Sequence, residues 1–391
     1  MGGVLLLDAH LKQALVVTRS LGDRGIPVTA GSHCRWTPSR FSKHAEEWLH
    51  YPDPEDSEAF LEAIESELTA GDYDMLLPIE ESTLDVVLGN RETFEALAAL
   101  PFPPTETTAV GLDKRRTIEA ARRHDVPHPE TVFSDSATIP EIESALSYPI
   151  VIKPINGEGR DGVSVCHSRE ALRTAAQETI DELGPVLFQE FIPNGGECGV
   201  YALYDHSSDL RAVTVQRRLR SKPPEGGAST YRETVEDPSL IALADEFLSA
   251  LDWQGVVMAE FRVDPRSGEP QLMEINPRFW GSLALSVFAD VDFPSLLYRL
   301  STGGELPSEL SYRRDVQARC LFTDFVQLLQ REDTARAFRE FLTPASKPCR
   351  FDIVSTADPL PTVGQALYWS SLLPAERSIF RPYLNDATVR K

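Results

Sequence analysis

The stretch that most constrains this chain is residues 255–280, GVVMAEFRVDPRSGEPQLMEINPRFW. Two alternating segments flank the turn Pro265-Arg266-Ser267-Gly268-Glu269, the pattern of an antiparallel hairpin. If Asp264 pairs with Pro270, Glu260 falls directly opposite Glu274. A period of two then places Glu260 and Arg262 on one face, together with Glu274, Asn276 and Arg278. Opposed carboxylates on a sheet sit about 5 Å apart at Cβ and repel. Amid Val, Met, Phe and Leu, such a pair calls for a cation between its members. Two glutamates and an asparagine carbonyl are hard oxygen ligands, suited to Mg²⁺ with phosphate oxygens and water completing the shell. Arg278 can reach the same phosphates or an anionic intermediate. The plainer alternative, a solvated polar face on an edge hairpin, leaves the Glu-x-Asn-x-Arg row opposite a further Glu without a reason.

A second feature is Gly157-Glu158-Gly159-Arg160-Asp161-Gly162, which matches GxGxxG in form. A dinucleotide fingerprint needs that loop to enter a helix, but the next residues, Val163-Ser164-Val165-Cys166, read as a strand. No GxxxxGK[ST] phosphate loop occurs anywhere in the chain. A flexible glycine loop between two strands remains, with Lys153 on the incoming strand. Such a loop either folds over a triphosphate and offers backbone N–H groups or is an ordinary hairpin turn.

The rest of the chain supplies the frame. Apolar segments at 4–9, 26–31 and 74–79 alternate with helical patterns at 11–24 and 82–98. That alternation predicts a parallel-sheet α/β domain over residues 1–105, closed by the Pro-rich stretch 101–106. A block of α+β character follows, with a helix over 113–124 capped by Asp113, strands at 149–153, 163–166 and 186–190, and helix 168–183. A strand–loop–strand region at 198–235 and helix 238–251 lead into the hairpin. Residues 306–391 read as a helical and mixed extension with a strand near 350–354. The expected fold class is thus α/β and α+β.

Composition narrows the partners. The 391 residues carry 38 basic and 60 acidic side chains, a net charge of −22, which disfavours nucleic acid and anionic membrane. Lysine occurs only at positions 12, 43, 114, 153, 222, 347 and 391. Acid excess with scarce lysine fits a halophilic proteome, an acidic mesophilic protein being the alternative. The five cysteines form no CxxC pair, as expected of a reducing cytoplasm, and Cys166 and Cys198 read as small buried hydrophobes. No apolar run approaches a membrane span. Nothing in the sequence opposes a homodimer.

Taken together, these residues resemble the ATP-grasp superfamily, which includes D-alanine–D-alanine ligase, biotin carboxylase and carbamoyl-phosphate synthetase. The resemblance covers about 106–305, with 1–105 similar to the family's N-terminal domain. It implies ATP held between two α+β subdomains, with Lys114 and Lys153 at the phosphates beneath the Gly157, Gly159 and Gly162 loop. It implies adenine contacts from Glu190, Phe191 and Ile192, ribose contacts from Glu197, and Mg²⁺ (or Mn²⁺) on Glu260, Glu274 and Asn276. Arg278 would face the reacting phosphoryl group. Arg160-Asp161 departs from the small residues many relatives carry in the loop.

The family chemistry implies a ligase that activates a carboxylate as an acylphosphate and joins it to an amine, releasing ADP and phosphate. The substrates are then small molecules, a carboxylate and an amine. Arg218 and Arg220, two apart on one strand, suit an anionic substrate or form a solvated arginine row. Glu80, Glu81 and Ser82 follow a buried strand at the edge where α/β sheets bind ligands, and Ser82 could instead cap the next helix. An ATP-grasp enzyme with another acceptor, a carboxylase or a thiol ligase, is the alternative, as is a nucleotide-binding protein without turnover. A biotinylated carrier would need a Met-Lys-Met tripeptide, which the chain lacks.

Overall fold

The computed structural model describes residues 2–372, apart from 136, 157–161, 223–226, 309, 330–332 and 344. Its first sheet holds β1 (Gly3–Leu6), β2 (Val28–Ser32), β3 (Glu47–His50) and β4 (Tyr73–Leu77). All four are parallel, in the order β3-β2-β1-β4. The central β1 reads as an unbroken apolar run because helices cover both faces of a parallel sheet, and Val4 to Leu7 are fully buried. Gly25, at φ 72°, turns the chain after helix Lys12–Gly22 into β2.

The second sheet is antiparallel: β5 (Thr131–Phe133), β6 (Ile150–Pro154), β7 (Ser164–Cys166) and β8 (Val186–Glu190), in the order β5-β8-β6-β7. Ile150, Ile152 and Phe188 on one face pack against Leu172 and Ala176 of helix Arg169–Leu183. That helix starts where the Ser168 side chain accepts from the Ala171 N–H.

The third sheet has seven strands: β9 (Glu197–Tyr204), β10 (Leu210–Lys222), β11 (Ala228–Thr234), β12 (Gly255–Val263), β13 (Pro270–Asn276), β14 (Gln317–Arg319) and β15 (Cys349–Phe351). Their order is β13-β12-β9-β10-β11-β14-β15. Every pair is antiparallel except β14 with β15. Alternation sends Val257, Ala259 and Phe261 to one face, under Leu240, Ala244, Phe247 and Leu248 of helix Pro238–Ala250. The opposite face begins apolar: Tyr201, Leu203, Val256 and Met258 join one core with the first sheet and with Trp280 and Phe293. Past Met258 this face becomes charged, and there the hairpin acids lie.

The fold class read from the sequence is the one observed. Local differences have local causes. The helical pattern of 82–98 is two helices, Glu81–Gly89 and Arg91–Glu95, broken at Asn90. The region 198–235 is three strands, and β3, β5 and β14 escape a periodicity reading because three or four residues carry too little pattern.

Candidate functional site

The hairpin reaches the expected pairing by an unexpected route. Val263, not Asp264, pairs with Pro270, which would slide the acids past each other. A bulge between Glu260 and Phe261 leaves Met273 as the extra residue, and Glu260 again faces Glu274. Ala259 then pairs with Ile275 and Met258 with Asn276. The bulge is therefore what reconciles the turn with the acid pair.

Neighbouring strands complete a charged patch. Arg262 of β12 pairs with Glu197 of β9, and Cys198 beside Glu197 pairs with Arg217 of β10. Glu197 is buried, yet receives Arg262 Nη2 at 2.6 Å, Arg218 Nη1 at 3.5 Å and Ser221 Oγ at 3.3 Å. Arg218 Nη2 also donates to Glu260 Oε1. Gly199, opposite Glu260 in β9, carries no side chain to stand between them. Asn276 Nδ2 donates to Glu274 Oε1 at 3.2 Å. The opposed acids are thus not bare: Arg218 balances Glu260 and the Asn276 amide supports Glu274. A cation binding here would displace Arg218 from Glu260, while the oxygens of Glu260, Glu274 and Asn276 still form a hard donor set.

Arg278, two residues beyond Asn276, is held by the helix that follows β4. Its Nε and Nη2 reach Glu81 Oε1 at 3.2 and 2.8 Å. Glu81 opens helix Glu81–Gly89, and Ser82 lies inside its first turn rather than capping it. Glu80 interacts with His10, whose hydrogen bond holds its carboxyl below the usual glutamate range.

Lys114 begins helix Lys114–Arg123, where Asp113 Oδ1 accepts from Arg115 and Arg116 N–H at 2.7 and 3.1 Å. The Lys114 N–H donates to Ile155 O at 3.1 Å, just past β6. Lys153 of β6 pairs with Leu187 of β8, and Leu187 packs on Ile118 of the Lys114 helix. Both lysines therefore start from one corner of the second sheet. Gly162 has φ 68°, a glycine conformation, whereas Gly157 and Gly159 lie outside the described residues.

Glu190 ends β8. Its carboxylate takes Arg266 Nη2 at 2.7 Å from the hairpin turn, tying the second sheet to the third. Phe191 and Ile192 follow, and Arg262 Nη1 reaches Ile192 O at 3.4 Å. Arg262 and Arg266 had no assigned role in the sequence. Arg262 was findable, since it shares a face with Glu260 two residues away. The reach of Arg266 across 76 residues was not.

One expectation is corrected. Arg218 pairs with Arg232 but Arg220 with Tyr231, so a bulge at Leu219 turns the two arginines to opposite faces. Arg218 meets Glu197 and Glu260, whereas Arg220 makes a two-pronged ion pair with buried Asp324 of helix Leu321–Leu329. Burial lifts the thiol of Cys198 and pushes that of Cys166 up to about 11, the behaviour of inert cysteines.

A family model described as "ATP-grasp in the biosynthetic pathway with Ter operon" matches residues 182–321. That span contains the whole of β8, the Glu197 row and the whole hairpin. The chain carries an ATP-grasp domain. The D-alanine–D-alanine ligase of Acetivibrio thermocellus is 26% identical over 235 residues, 52% of this chain and 61% of that one. Among solved structures, biotin carboxylase from Campylobacter jejuni superposes with a TM-score of 0.64 at 17% identity, covering 81% of this chain and 74% of that one. L-amino acid ligase from Bacillus licheniformis superposes with a TM-score of 0.61 at 20% identity, covering 77% and 74%. The chain spans between 22% and 61% of the length of the curated relatives it matches. Lys114 and Lys153 precede the matched stretch. No described helix is long and apolar enough to cross a membrane.

Proposed function

We propose that this protein is an ATP- and Mg²⁺-dependent ligase joining a carboxylate to an amine, built as an N-terminal domain (1–105), an ATP-grasp domain (106–305) and a C-terminal extension (306–391). The observation that carries the reading is the hairpin: two directly opposed glutamates, an asparagine beside one of them, and an arginine two residues on, at the charged end of a sheet face. Likeness to D-alanine–D-alanine ligase and to L-amino acid ligase supports an amine acceptor.

In this reading Glu260, Glu274 and Asn276 hold the cation, with Mn²⁺ able to replace Mg²⁺. Lys114 and Lys153 neutralise phosphate charge, with the Gly157, Gly159 and Gly162 loop above them. Glu190, Phe191 and Ile192 receive the adenine, and Glu197 the ribose. ATP bound there supplies the phosphoryl group that turns a carboxylate into an acylphosphate, and attack by the amine then releases phosphate. Arg278, fixed in direction by Glu81, offers a rigid fork to the anionic carboxylate and phosphoryl oxygens. Arg218, released from Glu260 as the cation enters, is left facing the same space. The acidic surface suits a cytoplasm of high salt.

The test is turnover of ATP in the presence of pools of amino acids and dipeptides. ADP and phosphate released only with a particular acid and amine support the reading. AMP with pyrophosphate contradicts the acylphosphate route, and dependence on bicarbonate without an amine assigns the chain to carboxylation. No turnover with any pool makes it a nucleotide-binding protein.

A further inference from the structure

Away from the hairpin, the carboxyl edge of the first sheet gathers a different set of groups. His10 follows β1, His33 and Cys34 follow β2, and Glu80 follows β4. His10, His33 and Cys34 each offer one ligand atom, and these three atoms lie within 4.8 Å of one another.

The surroundings are organised around them. Ser32 Oγ lies 3.1 Å from His10 Nδ1 and accepts the Cys34 N–H at 3.0 Å, so one hydroxyl ties together the two turns that carry the cluster. Donation of the His10 Nδ1 proton to that hydroxyl frees Nε2 for a cation, as the outer partners of metal-bound histidines do. Glu80 Oε2 stands 3.5 Å from His10 Nε2. His33 Nδ1 is buried and has no hydrogen-bond partner among the described residues, an unfavourable position that a ligand would relieve.

Asp8, which follows β1 just before His10, is already committed. It is fully buried and accepts from Ile79 N, Glu80 N, Thr83 Oγ1 and Tyr51 Oη, all between 2.8 and 3.0 Å. Asp8 therefore fixes the turn that presents His10 and is not itself a ligand of the cluster.

We propose that His10, His33 and Cys34 form a binding site for a borderline divalent transition-metal ion of the zinc class, with Glu80 beside the fourth position. Two imidazoles and a thiolate select zinc or cobalt and reject magnesium, whereas the hairpin oxygens do the reverse. Ligands of one tetrahedral ion lie about 3.3–3.8 Å apart for bonds of about 2.0–2.3 Å. The cluster thus closes onto an ion by side-chain movement of about an ångström. A bound ion would pin the β1, β2 and β4 turns together, one residue from the Glu81 that holds Arg278. This site stands whether or not the hairpin is a ligase centre.

The experiment strips the full chain with a chelator and titrates it with cobalt(II) chloride in the presence of excess Mg²⁺. The expected result is one cobalt per chain, the intense near-ultraviolet absorption of a cobalt–thiolate bond, and displacement by zinc with a rise in melting temperature. Cys34→Ser retains the other four cysteines, and should lose that absorption and the zinc-dependent rise. Ser32→Ala, which keeps every ligand, should bind about 10–100-fold more weakly. The wild-type titration decides the matter even if a variant folds poorly. No cobalt–thiolate absorption in the wild type, or the same absorption in Cys34→Ser, overturns the proposal.

Discussion

One face of the seven-stranded sheet is made of two halves that differ in kind. In the first, Tyr201, Leu203, Val256 and Met258 pack into a single core with the parallel sheet, Trp280 and Phe293. In the second, a few residues along the same strands, Glu197, Arg218, Glu260 and Arg262 form ion pairs. Depth does not separate them: Glu197 is 6% exposed and Met258 7%. What separates them is exchangeability. An apolar contact has no substitute partner except water, whereas an ion pair can trade one member for a ligand of the same charge. The first half fixes the domains to each other, and the second is free to hold something else.

Replacing Trp280 should produce the largest change in stability. Its ring is fully buried, 4.7 Å from Tyr201 and 5.1 Å from Phe293 between ring centres. Trp280→Ala should cost about 3–5 kcal/mol in denaturant unfolding. A loss under about 1 kcal/mol would erase the contrast between the halves.

Gly199 marks the border between them. A Cβ there would meet Tyr201 Oη at 2.8 Å, and Tyr201 is buried against Trp280 and cannot swing away. Gly199→Ala should therefore lower stability by about 1–3 kcal/mol. An unchanged unfolding midpoint would show that the border tolerates a side chain.

The opposite face of the same sheet offers a contrast in Glu233, which pairs with Arg217 across from Cys198 and whose contribution acid removes. Burial opposes its ionisation, but Lys347, Arg217 and Gln317 outweigh that and hold it at about 2, below the usual 4.5. Because the folded value is depressed, its contribution is complete above about pH 4.5 and disappears as pH falls towards 2. Glu233→Gln should unfold less steeply with acid over that window and lose on the order of 1–2 kcal/mol at neutral pH. An acid-unfolding curve identical to that of the wild type would remove Glu233 from the account.

How far the sequence carried the reading follows the same division. The opposed acids were legible because strand periodicity is strict, and the Met273 bulge happened to cancel the one-residue error in the turn. Arg218 and Arg220 went wrong for the same reason in reverse. The bulge at Leu219 has no signature in the local residue types, and with it Arg220 turns to Asp324, 104 residues away. Asp113 was readable as a helix cap from its own neighbours. Long-range partners such as Arg278 with Glu81 and Arg266 with Glu190 depend on how sheets meet, which no local pattern encodes. The His10, His33 and Cys34 cluster belongs to this class, since a parallel sheet brings together turns that are far apart in the chain.

The central claim is that the hairpin acids bind a cation and do not merely hold the sheet together. Glu274→Gln keeps the side chain's shape while removing one charge from the pair facing Glu260. The measurement is the melting temperature without nucleotide, taken alongside kcat at saturating magnesium on a substrate pair found by the ADP assay. The account predicts a protein that melts no earlier than the wild type, because repulsion with Glu260 falls, and whose kcat drops by several orders of magnitude. A variant that melts early yet turns over at a near-normal rate would make the hairpin structural and contradict the assignment of Glu260, Glu274 and Asn276 to a metal.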